Sequence, residues 1–331
     1  MNKTESPLVI VTHSLPEEWL ASLAGHCRRV NGPWDATHFD PALEPYLSEA
    51  EGLFCLLTIR VDEAFLQRAP RLRVVSNMAV GYDNIDVAAC TARGIAVGNT
   101  PGVLTDATAD LTMALLLAAA RRLPESSQDA RQGRWTTWSP AGWLGADLNG
   151  ATLGIVGIGK IGQAVARRGR GFGMRLIYTD EFPAPPALEE ELSLTRKPFE
   201  ELIQESDFIS LHIPLTPQTR GLIGEKELRR MKPTAILVNT SRGPVVQTEA
   251  LLKALQENWI GGAALDVTDP EPLPASHPLY AQPNCLIVPH IGSATRNTRR
   301  RMAELACENL LAGLEGRRLP NCVNPEVYER G

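Results

Sequence analysis

Three polar side chains stand where short apolar runs end. Arg242 sits in NTSRG after the run AILVNT, Glu271 in DVTDPEP after GGAALDV, and His290 in PHIGS after CLIV. An arginine can grip a carboxylate with its planar fork and polarise an adjacent carbonyl. A histidine can give a proton near neutral pH, and a carboxylate beside it orients the ring and favours its charged form. Together the three suit proton-coupled reduction of a 2-oxo acid. Taken singly, each has a plainer reading: a surface arginine, a loop charge before Pro272, and a histidine bonded to backbone. What turns the balance is their shared placement downstream of a nucleotide-binding pattern.

That pattern is TLGIVGIGKIG, residues 152–162. Gly157, Gly159 and Gly162 form GxGxxG directly after a β-branched run. The first is expected to make the tight turn, the second to admit a pyrophosphate, and the third to let helix and strand pack. The helix start would then face phosphate charge. A second strand ends in Asp180, 18 residues after Gly162, where an acid that reads the ribose belongs. Its carboxylate can accept from a 2′-hydroxyl and would repel a 2′-phosphate. Glu181 adds to that repulsion, and no Arg follows within Asp180-Glu181-Phe182-Pro183. NAD is therefore expected, with NADH preferred over NADPH. The cofactor-binding set is Gly157, Gly159, Lys160, Ile161, Gly162, Asp180, Pro214, Thr240 and Asp266.

The elements that must position these residues follow from the rest of the chain. Its 331 residues are too many for one typical domain, and 44% hydrophobic with 21% charged residues is an ordinary globular balance. A net charge of −5 gives no basic face for nucleic acid. The longest apolar run, 113–120, is far short of a membrane span, and the N-terminus lacks a signal-peptide layout. The six cysteines are scattered without a CxxC pair. They are expected to be reduced thiols in a cytoplasmic protein, with no metal site.

Strands are expected at 8–12, 53–57, 73–77, 152–156, 175–178, 208–212, 235–239, 263–267 and 286–289, with helical patterns between most of them. Such alternation implies an α/β protein with parallel sheets and helices on both faces. Punctuation at Gly98-Asn99-Thr100-Pro101-Gly102 and Pro289-His290-Ile291-Gly292 suggests two Rossmann-like or flavodoxin-like domains. Residues 1–99 with 291–331 would form a discontinuous substrate-binding domain, and 100–290 the NAD-binding one, with the active site in the cleft between them. Thr105 or Asp106 is expected to cap a helix over 107–122. That stretch is apolar on nearly every side and suits a domain or subunit interface.

On these residues the chain resembles the D-2-hydroxyacid dehydrogenase family, in its glyoxylate/hydroxypyruvate reductase branch. The matching stretches are SNMAVGYDNID (76–86), TPGVLTDATAD (100–110), GIVGIGKIGQAVA (154–166), NTSRGPVV (239–246), LDVTDPEPLP (265–274) and PHIGSAT (289–295). The resemblance implies that Arg242 binds the substrate carboxylate and carbonyl, that His290 is the general acid/base, and that Glu271 pairs with it. It further implies that backbone at Val80 and Gly81 holds the carboxylate, that Asp266 holds the nicotinamide amide, and that the protein is a homodimer whose long helix and following loop embrace the partner.

Two stretches depart from the family pattern. Eukaryotic members of this branch carry an Arg in the turn after the second strand and prefer NADPH; this chain has Asp180-Glu181 there. The segment 138–145 holds a Trp that in the family reaches the neighbouring subunit's site. Trp143 can be read so, or as a plain interface aromatic. A general D-2-hydroxyacid or D-glycerate dehydrogenase stays open, as does an NAD-sensing corepressor-like binding protein. A phosphoglycerate dehydrogenase usually has an extra regulatory domain, and the phosphite-oxidising members have a Lys in the stretch that reads MAVGYD here.

Overall fold

A computed structural model describes residues 6–329. The chain divides into two compact units, Met1–Leu104 with Thr295–Gly331, and Thr105–Ala294. The divisions fall a few residues beyond the Gly98–Gly102 and Pro289–Gly292 punctuation.

In the first unit five parallel strands form one sheet: β1 (Leu8–Val11), β2 (Arg28–Asn31), β3 (Gly52–Cys55), β4 (Val74–Asn77) and β5 (Ala96–Gly98). Their order, β2-β1-β3-β4-β5, is the flavodoxin-like one. β1, β3 and β4 are buried on both faces, as parallel strands covered by helices must be. One cover is the helix Arg296–Leu314, which explains why the unit is discontinuous. Its Gly313 lies against Val74, and a Cβ on Gly98 would meet Asn309. Ser76 donates to the Ala306 carbonyl at 2.7 Å, and Asn309 donates to the Asn99 carbonyl at 2.9 Å.

The second unit carries seven parallel strands: β6 (Thr152–Val156), β7 (Arg175–Thr179), β8 (Thr195–Arg196), β9 (Phe208–Leu211), β10 (Ile236–Asn239), β11 (Gly262–Leu265) and β12 (Cys285–Ile287). The order β12-β11-β10-β9-β6-β7-β8 is a doubly wound sheet whose strand order reverses between β6 and β9. Ligands of such sheets bind at that switch point, beyond the carboxyl ends of the strands. Apolar clusters cover both faces, one around Leu153, Ile155 and Tyr178, the other around Ile209, Leu237 and Leu251.

All nine expected strands form. β2, β5 and β8 were not expected. β2 (RRVN) and β8 (two residues) are sheet edges, where pairing on one side only leaves charged residues in water, and β5 is three residues long. The expected cap at Thr105 or Asp106 is corrected: the helix is Thr105–Ala120, so both lie inside its first turn. It ends two residues early because Arg122 takes the left-handed conformation (φ 52°) and opens a second helix, Leu123–Arg131. Arg168 joins the long helix to the helix Lys160–Gly171 through Asp110 (2.7 Å) and Asp106 (3.2 Å). No helix among the described residues is long and apolar enough to cross a membrane.

Candidate active site

The glycine loop runs from the end of β6 into the helix Lys160–Gly171. Gly157 has φ 95°, a region L side chains rarely adopt, and a Cβ there would lie 2.6 Å from the His212 carbonyl oxygen beyond β9. A Cβ on Gly162 would overlap the Gly157 carbonyl. The fold itself requires both glycines. Gly159 differs: its φ of −64° suits any residue, and a Cβ there would meet nothing within 4 Å. Open space in front of Gly159, exposed with Lys160 at a helix start that no side chain caps, fits the approach of a dinucleotide pyrophosphate to unpaired helix N–H groups. Ile161 is half-buried behind them and Gly162 buried.

Asp180 follows β7. One carboxylate oxygen accepts from the Ile158 N–H at 2.6 Å, inside the glycine loop, and the other from the Phe182 N–H at 3.3 Å. The acid and the loop are thus one unit. Arg196, on the neighbouring edge strand, donates to the carbonyls of Asp180 (2.7 Å) and Glu181 (3.0 Å). Sequence reading missed this arginine because it looked only along the turn. The strand that brings it there, β8, is two residues long and pairs beside Tyr178, too short to be read from the sequence.

Beyond β9, exposed Pro214 accepts from the Thr219 hydroxyl at 2.7 Å. Thr240, after β10, is buried with its hydroxyl 2.9 Å from that of Thr112. Its side chain is spent within the protein, so any cofactor contact at this position falls to its backbone.

The loop that carries Arg242 is shaped by Asn239. Its amide donates to the Arg242 carbonyl at 2.9 Å, and its oxygen accepts from the Ser241 N–H and hydroxyl. Half-buried Arg242 donates to the Ser241 carbonyl. A Cβ on Gly243 would overlap the Thr268 carbonyl. Only glycine lets the Arg242 loop close on Thr268–Asp269, the stretch leading to Glu271.

Glu271 and His290 meet: Nδ1 of the imidazole lies 2.5 Å from Oε1. The carboxylate can only accept, so the ring proton of this contact sits on Nδ1. His290 is held in an unusual turn with φ 50°. Asp266, 2% exposed, builds that turn from both ends. Its carbonyl accepts from the His290 N–H (2.9 Å), and its carboxylate from those of Ile291 (2.6 Å) and Gly292 (2.9 Å). Burial holds the Asp266 carboxyl above the usual range, against the pull of those N–H groups.

The first unit holds Val80 and Gly81. Asn99 donates to the Val80 carbonyl (2.8 Å) and Asn77 to that of Gly81 (2.9 Å). Two carboxamides thereby fix the orientation of this backbone.

Trp143 is 40% exposed, with the Arg122 guanidinium 4.8 Å over its ring. A cavity of about 520 Å³ lies at the other ends of β10–β12, lined by Ile236, Gly262 and Cys285, and holds none of the site residues. The six cysteines are free thiols, and burial pushes Cys90 and Cys285 up to about 12 and Cys307 to about 11, far from nucleophilic. Among the described residues no cluster of His, Cys, Asp and Glu could hold a metal ion.

Residues 113–292 match the profile of the D-isomer specific 2-hydroxyacid dehydrogenase, NAD binding domain. The chain is 49% identical to a glyoxylate reductase of Korarchaeum cryptofilum, over 98% of this chain and 97% of that protein. It is 53% identical to a glyoxylate reductase of Aeropyrum pernix, over 89% and 90%. Among solved structures, the TT0316 protein from Thermus thermophilus superposes with a TM-score of 0.89 at 50% identity, covering 96% of this chain and 99% of that one. The chain belongs to the D-isomer specific 2-hydroxyacid dehydrogenase family, in its glyoxylate reductase branch, and is an oxidoreductase served by a nicotinamide cofactor.

Proposed function

We propose that this protein reduces a small 2-oxo acid, glyoxylate or hydroxypyruvate foremost, to the 2-hydroxy acid with NADH. The observation that carries the reading is the His290–Glu271 pair at 2.5 Å, standing beyond β12 and β11, which follow in the sheet on β10, the strand that leads to Arg242. The likeness to the glyoxylate reductases above supports the substrate class.

The reduced nicotinamide supplies the hydride. Arg242 grips the substrate carboxylate and draws electron density toward the carbonyl oxygen. As negative charge grows on that oxygen, Nε2 of His290 delivers a proton to it, and Glu271 faces the resulting change of charge through Nδ1. The carbonyl carbon gains hydride, the oxygen gains the proton, and the 2-hydroxy acid leaves. Gly157, Gly159, Lys160, Ile161 and Gly162 cradle the pyrophosphate, Asp180 reads the ribose, and Pro214, Thr240 and Asp266 line the rest of the cofactor site. Asp180 favours NADH, because its carboxylate accepts from a hydroxyl and repels a phosphate.

Steady-state assays of NADH and NADPH with glyoxylate, hydroxypyruvate, pyruvate and larger 2-oxo acids test the proposal. Turnover fastest with NADH and a two- or three-carbon acid is expected. No turnover with any of them would leave a nucleotide-sensing protein as the reading.

Two further elements belong to the proposal. Trp135 (74% exposed), Trp138 (80%) and Leu144 expose large apolar side chains on the segment 123–148, which we assign to a homodimer interface. A monomer by light scattering at micromolar concentration would refute it. Six free thiols suit a reducing, cytoplasmic setting.

A further inference from the structure

The turn after β7 is more positive than its sequence suggests. Asp180 and Glu181 put two carboxylates side by side, yet their carbonyls both accept from one Arg196 guanidinium nitrogen, at 2.7 and 3.0 Å. The arginine stands on the edge strand β8, whose Arg196 pairs with Tyr178 of β7, so its side chain reaches forward along the outer flank of the turn. Its neighbour Lys197 is committed elsewhere, to Glu201 (3.0 Å) and Glu205 (2.9 Å). Among the described residues Arg196 forms no ion pair with a carboxylate; its hydrogen bonds are to neutral backbone oxygens of the turn. On the inner flank the Asp180 carboxylate turns to the Ile158 N–H of the glycine loop. The ribose-reading turn is thus held from inside by an anion and from outside by a cation.

We propose that Arg196 is a cofactor-selectivity residue. Its charge offsets the repulsion that Asp180 and Glu181 exert on a 2′-phosphate, so the preference for NADH is narrower than two adjacent carboxylates alone would impose. A guanidinium on the flank of this turn attracts a phosphate dianion and is nearly indifferent to a ribose hydroxyl. The site is exposed, so the effect is a screened one of about three- to tenfold in affinity. The inference rests on the reading of this loop as the adenosine site.

The test uses 5′-AMP and 2′,5′-ADP, fragments that differ only in the 2′-phosphate, titrated by calorimetry into the wild type, Arg196→Ala and Arg196→Lys. The same titrations are made in the Asp180→Asn background, where the phosphate is admitted more readily. Arg196→Ala should weaken 2′,5′-ADP binding about three- to tenfold and 5′-AMP binding less than twofold. Arg196→Lys should keep most of the affinity, and added salt should shrink the difference. Equal losses for both fragments would show an arginine that only shapes the turn and would overturn the proposal; so would no loss for either. The wild-type ratio of kcat/KM for NADH and NADPH is read separately. A wild type faster with NADPH would defeat the NADH reading and leave the Arg196 comparison standing on its own.

Discussion

The glycine loop after β6 and the His290 turn after β12 project from the same sheet, and each contains a residue with positive φ. They hold their shape by opposite means. At Gly157 the left-handed backbone costs little, because no Cβ exists to clash, and the surrounding carbonyls pack into the space left. At His290 the same kind of conformation carries a side chain and costs about 1–2 kcal/mol. Three hydrogen bonds to Asp266 offset it. The first region is shaped by what is missing, the second by a buried carboxylate. The lesson is that damage to the two should differ in kind: the loop should lose cofactor, the turn should lose chemistry.

The largest effect should come from His290→Ala. Loss of a positioned proton donor is expected to lower kcat by on the order of 10²–10⁴-fold, while the NADH dissociation constant, measured by fluorescence, hardly moves. An enzyme that kept most of its turnover would take its proton from water or another group. Arg242→Ala separates binding from chemistry: it should raise KM as well as lower kcat, because one side chain both holds the carboxylate and polarises the carbonyl.

Asp266→Asn comes next. An amide placed where the carboxylate meets the Ile291 and Gly292 N–H groups must turn an NH2 toward one of them, which loosens the turn. We expect kcat to fall by about 10–100-fold, the worth of misplacing a catalytic group by an ångström or so, together with a lower Tm. Full kcat in this variant would mean that the turn holds without its carboxylate.

The glycines sharpen the comparison. Gly159→Ala should leave Tm unchanged, since nothing stands near the new methyl, yet weaken NADH binding roughly tenfold, the loss of one charge-assisted contact to the pyrophosphate. Gly162→Ala is the control: its methyl would overlap the Gly157 carbonyl, so Tm should drop as well. If Gly159→Ala bound NADH like the wild type, the open space before Gly159 would not be where the pyrophosphate lies.

The turn at Gly157 and the helix–strand packing at Gly162 were legible in the sequence, because each demands glycine at a fixed spacing. The site side chains Arg242, Glu271 and His290 were legible as types at strand ends, and the adjacency of β10, β11 and β12 brings their loops side by side. What could not be read was pairing at the edges. Two-residue β8 has no periodicity to detect, and so Arg196 was invisible as a neighbour of Asp180 although it lies only 16 positions away. The role of Asp266 in building the His290 turn was hidden for a similar reason, since a carboxylate accepting from backbone N–H groups leaves no pattern in residue types.

The smallest effect concerns a second histidine of this unit, His212. His212 lies after β9, its carbonyl beside Gly157 and its Nε2 2.8 Å from the Ser210 hydroxyl. Burial pushes its pKa down to about 3. It therefore stays neutral in the folded protein through the range in which an ordinary histidine titrates, and its carbonyl packs against the glycine loop. The consequence is a linkage. In the unfolded chain the group has its ordinary value of 6.5 and binds a proton as pH falls past that point, while the folded protein does not. The unfolded state binds more protons, so stability is fully present above about pH 6.5 and declines as pH falls toward 3. One such group costs roughly 1.4 kcal/mol by pH 5.5 and about as much again for each further unit. In His212→Gln, urea titrations between pH 7 and 5 should show a flatter decline by that amount, with the pH profile of kcat unaltered. If the slope of stability against pH were the same in the variant, His212 would already be protonated or solvated in the folded state, and the carbonyl that crowds Gly157 would belong to a looser segment than the one described.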